Sequence, residues 1–214
     1  MSLAIPSLHR VPVTERGVTI ADYLVPVRIG ERVSPVLRNI VFVIAGALLI
    51  YLTSRISIPV PDSPVPFTLQ NFGVLVVGGG LGMRRGGLAG LLYVVLGAVG
   101  LPFFAESRGG VDVILGTNGG YLAGFIVAAA LVGRLAELGW DRRIGGAVGA
   151  TLLGTLVIYG IGVPWLAYVA HLSPSDAIAK GLEPFVVFDT IKLLVAAAVF
   201  PVAWWVVGRR PSER

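Results

Sequence analysis

The sequence predicts an all-α integral membrane protein: six transmembrane helices, both termini cytoplasmic, and ordered extracellular loops capping a ligand pocket. Three observations predict it. Of 214 residues, 55% are apolar and only 14% charged, with a mean hydropathy of +0.84. Soluble domains carry about 25% charged residues, so this chain lacks the polar surface to coat a water-soluble globule. The charges fall in short clusters between long uncharged runs, and about 20 mostly apolar residues suffice to cross roughly 30 Å of hydrocarbon. The basic clusters also alternate in density from loop to loop, as membrane topology requires.

Taken in order, residues 1–35 mix polar and apolar positions with Pro6, Pro12, Pro26 and Pro35. They lack the basic–apolar–small-residue order of a signal peptide and read as a partly ordered cytoplasmic tail. Residues 36–208 form the six-helix membrane domain, and 209–214 a short cytoplasmic tail. The uncharged runs are Asn39–Ser54, Ser63–Met83, Gly86–Ala105, Val113–Gly133, Ile144–Ser175 and Leu193–Gly208. The fifth is too long for one helix and contains Pro164 and Pro174. The last extends backward through Lys192 and Asp189 to Phe185. Helices are therefore expected near 37–55, 67–83, 86–101, 119–139, 143–163 and 185–208. Arg84-Arg85 must mark a tight turn at an interface, because two arginines at the bilayer centre cost too much. Residues 164–184 are expected to be a loop holding a short helix that opens at Ser175 or Asp176.

With the N-terminus inside, Arg10, Arg16, Arg28, Arg32, Arg38, Arg84, Arg85, Arg134, Arg142, Arg143, Arg209, Arg210 and Arg214 share the cytoplasmic side. Only Arg55, Arg108 and Lys180 share the other, with Lys192 inside a span. This bias puts both termini in the cytoplasm and the chain in the cell membrane as a multi-pass protein.

The same features exclude other classes. The net charge of +5 comes from clusters at span ends, not from a nucleic-acid-binding face. With no cysteine there is no disulfide, thiolate metal site or cysteine nucleophile. GGGLGMRRGG (78–87) lacks the Lys-Ser/Thr of a phosphate-binding loop, and no HExxH zinc motif is present. Neither a cofactor nor a metal is expected.

Two charges stand where charge is expensive. Asp189 and Lys192 share one face of the last helix, and an ionisable residue inside a span is a functional-site candidate. Together they offer two acceptor oxygens and three donors. The Pro-rich run Ile58–Gln70 is expected to be extended and stiff, facing the glycine-containing loops around 106–110 and 116–121 across the bundle mouth. Gly120/Gly124, Gly145/Gly149 and Gly146/Ala150 have the spacing of close helix contacts.

VPFTLQ (65–70), LLYVVLGAVGLPFFA (91–105), GGYLAGF (119–125), GVPWLA (162–167) and the Asp189-x-x-Lys192 pair together resemble the BioY family over residues 37–208, in order and spacing. Those proteins are the biotin-binding subunits of energy-coupling-factor transporters. The resemblance implies six helices and capture of biotin from outside. It also implies uptake powered by a separate module of one transmembrane scaffold subunit and two ATPases. Asp189 then accepts the ureido N–H groups, and Lys192 meets the ureido oxygen or the valerate carboxylate. Thr68 and Gln70 match the first-loop motif that closes on the ligand, and Tyr93 and Tyr121 match pocket-lining aromatics. Glu106-Ser107-Arg108 stands where many members carry glycine or asparagine, and Asn118 where threonine is frequent. The AxxxA pattern used elsewhere to dock the scaffold is missing, leaving only Ala45-Gly46-Ala47. Homo-oligomerisation stays open. So do two other readings: the same fold serving thiamin or riboflavin, and an intramembrane enzyme using Asp189 and Glu106 as a carboxylate pair.

Overall fold

The structure is a computed structural model that describes residues 19–24 and 34–207. The tail positions 1–18, 25–33 and 208–214, with the charges they carry, lie outside the described residues. The described elements are α1 (Ile20–Leu24), α2 (Pro35–Ser54), β1 (Ser57–Ile58), β2 (Phe67–Thr68), α3 (Gln70–Leu81), α4 (Met83–Ala98), α5 (Val111–Leu115), α6 (Gly119–Glu137), α7 (Ile144–Val169), α8 (Pro174–Gly181) and α9 (Val186–Val207). Single 3-10 turns stand at Ala105–Ser107, Trp140–Arg142 and Glu183–Phe185. Four stretches are long and apolar enough to cross a membrane: Pro35–Ser54, Gly119–Glu137, Ile144–Val169 and Pro174–Val206. Gln70–Leu81 is a shorter apolar helix.

Helix α6 is the centre of the bundle. It packs on α3, α4 and α7 and buries Tyr121, Phe125, Ala128, Ala129 and Val132. Small residues make this closeness possible. A Cβ at Gly120 would lie 2.2 Å from the Trp165 side chain, and one at Gly124 3.0 Å from the Ile158 backbone on α7. The Gly120/Gly124 spacing thus has the role expected of it. Gly145, Gly146 and Gly149 do not. Gly145 faces open space, and the other two lie against Trp140 of the turn that precedes their own helix. Helix α2 is the reverse of α6: Leu37, Ile40, Val41, Ile44, Leu48 and Leu52 face outward. Lipid is the solvent that suits such a surface.

The ends of the helices follow local chemistry. Ser34 caps α2, its hydroxyl accepting the Leu37 N–H at 3.2 Å, with Pro35 in the first turn. The α3–α4 corner turns on Gly82 at φ +85°, a left-handed conformation glycine adopts without penalty. Arg84 and Arg85 therefore lie in the first turn of α4 rather than in a turn of their own. Further boundaries differ from expectation: α3 begins at Gln70 rather than 67, because Phe67 and Thr68 form β2, and α4 runs Met83–Ala98 rather than 86–101. Helix α7 continues through Pro164 to Val169. The proline leaves the Gly160 carbonyl four residues back without its usual partner, a break that neighbouring groups can re-satisfy in a spanning helix. The cap of helix α8 stands two residues before Ser175 and three before Asp176. It is Ser173, which accepts the Asp176 N–H at 3.1 Å, and Pro174 takes the first helical position.

The bundle also holds a piece of the N-terminal tail. Thr19, Ile20 and Ala21 are buried, and Asp22 accepts the Thr19 N–H and hydroxyl at 3.0 and 2.8 Å. Arg85 then grips Asp22 through both terminal nitrogens at 2.9 Å. Burial alone would raise the Asp22 pKa, but the hydrogen bonds from Arg85 and Thr19 hold it below the ordinary value. Tyr23 meets the Trp204 ring edge-on at 5.5 Å.

Asp141, in the turn between α6 and α7, is 1% exposed. Trp204 Nε1 donates to its Oδ2 at 2.6 Å, while Oδ1 has no partner among the described residues. Burial pushes its pKa up to about 6, against smaller lowering effects from Trp204 and Arg142. A carboxyl whose pKa is raised on folding holds its proton longer in the folded state. Stability therefore falls as pH rises from about 4 to about 6 and is flat above. Between pH 4.5 and 7.5 the loss is on the order of 2 kcal/mol. The Asp141→Asn variant should lose this component, so its melting temperature relative to wild type should be higher at pH 7.5 than at pH 4.5. Parallel pH profiles would remove Asp141 from the explanation.

Candidate functional site

At the end of the bundle opposite Gly82, the loops and helix ends enclose a small chamber, with about 50 Å³ of room for the centres of water-sized molecules. Its walls are apolar, with Leu122 and Phe125 from α6, Phe104 from the loop after α4, and Phe185 before α9. Polar groups enter from one side.

The centre of that side is Asp189. Burial leaves it 5% exposed and Lys192 8%. The Lys192 ammonium lies 2.5 Å from Asp189 Oδ1, donates to the Thr68 carbonyl at 2.6 Å and stands 3.9 Å from the centre of the Phe67 ring. Asp189 Oδ2 accepts from Asn71 Nδ2 at 2.6 Å and from the Tyr159 hydroxyl. One carboxylate thus joins α9, the β2–α3 junction and α7. The i,i+3 spacing brings Asp189 and Lys192 together, and the β2 strand brings Thr68 to them.

The other polar contacts brace the roof. Gln70 Nε2 donates to the Tyr93 hydroxyl, which donates in turn to the Phe103 carbonyl at 3.1 Å. Ser54 reaches that carbonyl at 2.8 Å. Arg55 holds the same loop, donating to Ser107 Oγ at 2.5 Å and lying over the Tyr51 ring. Glu106 and Ser107 adopt positive φ of 57° and 60°, a conformation that costs of order 1 kcal/mol or more for such residues and persists only where the surroundings impose it. The Pro-rich segment closes from the other side: Ser57 and Ile58 pair antiparallel with Thr68 and Phe67, and Ser63 donates to the Lys180 carbonyl at 2.7 Å. Tyr121 donates to the Gly181 carbonyl at 2.8 Å.

Of the residues the sequence singled out, Thr68, Gln70, Asn118, Tyr121, Asp189 and Lys192 line the chamber. Tyr93 does not; it is fully buried behind Gln70. Glu106 does not either. It is exposed and pairs with Arg108 at 3.4 Å, while Arg108 is the member of that tripeptide facing the chamber. Asn118 leaves its Oδ1 buried and without a partner among the described residues. Sequence reading missed Asn71 and Tyr159, both chamber-lining and both bonded to Asp189. Each is an isolated hydrogen-bonding side chain in an apolar run, and the nearby carboxylate is what such a group needs.

The sequence profile of the BioY family matches residues 24–209. "Biotin transporter BioY" of Thermotoga maritima is 46% identical over 142 residues, 66% of this chain and 82% of that protein. The protein of the same name from Rhodobacter capsulatus is 37% identical over 160 residues, 69% and 82% of the two chains. Among solved structures, the S-component for biotin from an ECF-type ABC transporter superposes with a TM-score of 0.72 at 23% identity, covering 83% of this chain and 94% of that one. At that identity it shows the shared fold. This chain belongs to the BioY family. Its members are transport proteins and not enzymes, and the geometry agrees: Glu106 is tied to Arg108 at the surface while Asp189 is enclosed, so they form no carboxylate pair.

Removing one member of a buried ion pair leaves the other charge uncompensated, at about 3–5 kcal/mol. Lys192→Met should therefore lower the melting temperature of the detergent-solubilised protein sharply. Adding Asp189→Asn to it should recover much of the loss. Additive losses would mean that the two side chains are not coupled.

Proposed function

We propose that this chain captures biotin in the chamber for uptake, as the substrate-binding subunit of an energy-coupling-factor transporter. The observation that carries the reading is the Asp189–Lys192–Asn71–Tyr159 cluster in a chamber whose other walls include Leu122, Phe125, Phe104 and Phe185, in a chain of the BioY family. Biotin has an apolar bicycle and chain, a ureido head with two donors and one acceptor, and a carboxylate at the far end. An enclosed site of mostly apolar walls with a few fixed polar groups suits it.

Asp189 accepts a ureido N–H, since a carboxylate has about four acceptor positions and the three engaged by Lys192, Asn71 and Tyr159 leave one. Of the three donors on Lys192, Asp189 and the Thr68 carbonyl engage two, and the third meets the ureido oxygen. The valerate carboxylate then lies toward the mouth beside Arg108, a half-exposed cation whose one ion-pair partner among the described residues is the exposed Glu106. Thr68 and Gln70 fix the first loop, Asn118 supplies an unspent amide oxygen, and Tyr121 forms wall. Tyr93 supports Gln70 from behind, and Glu106 tunes Arg108 rather than touching ligand.

Six spans, with α3 and α4 as the second and third, put both termini in the cytoplasm. The described cations support this orientation. Arg84, Arg85 and Arg134 gather at one end of the bundle, while Arg55 and Arg108 stand at the chamber end, which faces outward. The chain sits in the cell membrane, and its apolar exterior contacts lipid. No nucleotide-binding motif is present in the sequence, so energy comes from a scaffold subunit and two ATPases. Of the thiamin and riboflavin alternatives, nothing in the chamber favours either.

Calorimetric titration of the purified chain in detergent should show biotin bound near one per chain, with thiamin and riboflavin inert. Asp189→Asn should weaken biotin more than tenfold, and unchanged affinity in the folded variant would take Asp189 out of the site. Arg108→Gln should weaken biotin several-fold yet leave biotinamide, which lacks the carboxylate, unaffected. Equal losses for both ligands would move the carboxylate elsewhere.

A further inference from the structure

We propose that the bundle end remote from the chamber carries a site for one phospholipid with an anionic headgroup, its acyl chain lying between α2 and α4. The proposal requires that the chain sit in a bilayer; it does not depend on biotin capture.

Two adjoining hollows carry it. The first is an apolar groove whose walls include Ile40 and Ile44 of α2 and Leu88, Leu91 and Val95 of α4. These five side chains are 44–52% exposed. The second is a polar recess at the start of α4, formed by Arg84, Arg85, Arg134, Asp22 and Glu137 among others. Asn39 lines both, so the two adjoin at that residue. From Val36, the groove's first residue on α2, to Ile44 is eight residues. At about 1.5 Å per residue that is about 12 Å, close to the roughly 15 Å hydrocarbon depth of one leaflet. The groove thus runs along the bilayer normal and ends in cations where headgroups lie.

The charges decide the ligand. Asp22 is taken by Arg85 at 2.9 Å. Glu137 is taken by Arg134 at 3.3 Å and by the Met83 N–H at 2.9 Å. Arg84 is exposed and has no ion-pair partner among the described residues, which leaves three cations against two carboxylates in the recess. A ligand with a long apolar chain and a phosphate at its head satisfies both hollows at once. A free phosphate would leave the groove empty, and an uncharged amphiphile would leave Arg84 unpaired. An arginine at such a surface attracts anionic lipid by about 1 kcal/mol, close to fivefold in affinity.

The test is native mass spectrometry of the full detergent-solubilised chain, titrated with phosphatidylglycerol, with phosphatidylcholine of the same acyl chains, and with glycerol 3-phosphate. One phosphatidylglycerol should be retained at about fivefold lower concentration than phosphatidylcholine, and glycerol 3-phosphate should not be retained. Arg84→Gln should abolish the preference, and Ile44→Trp, which fills the groove, should weaken both lipids. Unchanged melting curves report that the variants are folded. Equal retention of the two lipids by the wild type, a preference that survives Arg84→Gln, retention of glycerol 3-phosphate, or indifference to Ile44→Trp would each overturn the proposal.

Discussion

The cost of enclosing a charge in apolar surroundings governs this structure. Asp189 and Lys192 are both nearly out of solvent, and neither is tolerable there alone. Each must be neutralised by the other and hydrogen-bonded on its remaining valences. That requirement draws in the Thr68 carbonyl, the Asn71 amide and the Tyr159 hydroxyl, and with them β2, α3 and α7. The chamber's polar wall is the set of partners a buried ion pair demands. Replacing the pair by apolar residues of like volume would spare the protein this cost. The pair by itself is therefore weak evidence of stability.

The rest of the fold keeps that wall in place with little polar chemistry. Helix α6 approaches α7 at glycine positions, where Gly124 meets the Ile158 backbone and Gly120 receives the Trp165 side chain, so the bundle is held by close apolar contact. Around the mouth the loops are tied mostly by side chain to main chain: Ser54 and Tyr93 to the Phe103 carbonyl, Ser63 to Lys180, Tyr121 to Gly181. A carbonyl is always available whatever the residue, which lets the roof sequence vary while its anchors stay.

The sequence made the membrane class, most helix positions and the Asp189–Lys192 pair legible, because each rests on a strong local rule: span length, charge clusters and i,i+3 geometry. What it concealed depends on distant partners. Asn71 and Tyr159 look like stray polar residues until the carboxylate 118 and 30 positions away is beside them. Glu106 and Arg108 could not be ranked, because they stand in a loop whose positive φ at 106 and 107 no local sequence rule indicates. The helix past Pro164 defeated the rule that a proline ends a helix, which spanning helices do not follow strictly. The Thr19–Leu24 segment carried a readable signal, a threonine with an aspartate three residues on, but its burial depends on Arg85 from another helix.

The paired burial of Asp189 and Lys192 also constrains how such a protein can change its substrate over evolutionary time. Any single replacement in the pair strands an ion, so a lineage altering it must pass through an unstable intermediate. Exposed roof positions such as Glu106 and Arg108 carry no such barrier, and one codon can change there at little cost to folding. Divergence in ligand preference should therefore accumulate first at the mouth of the chamber, with the ion pair behind it the last part to be rewritten.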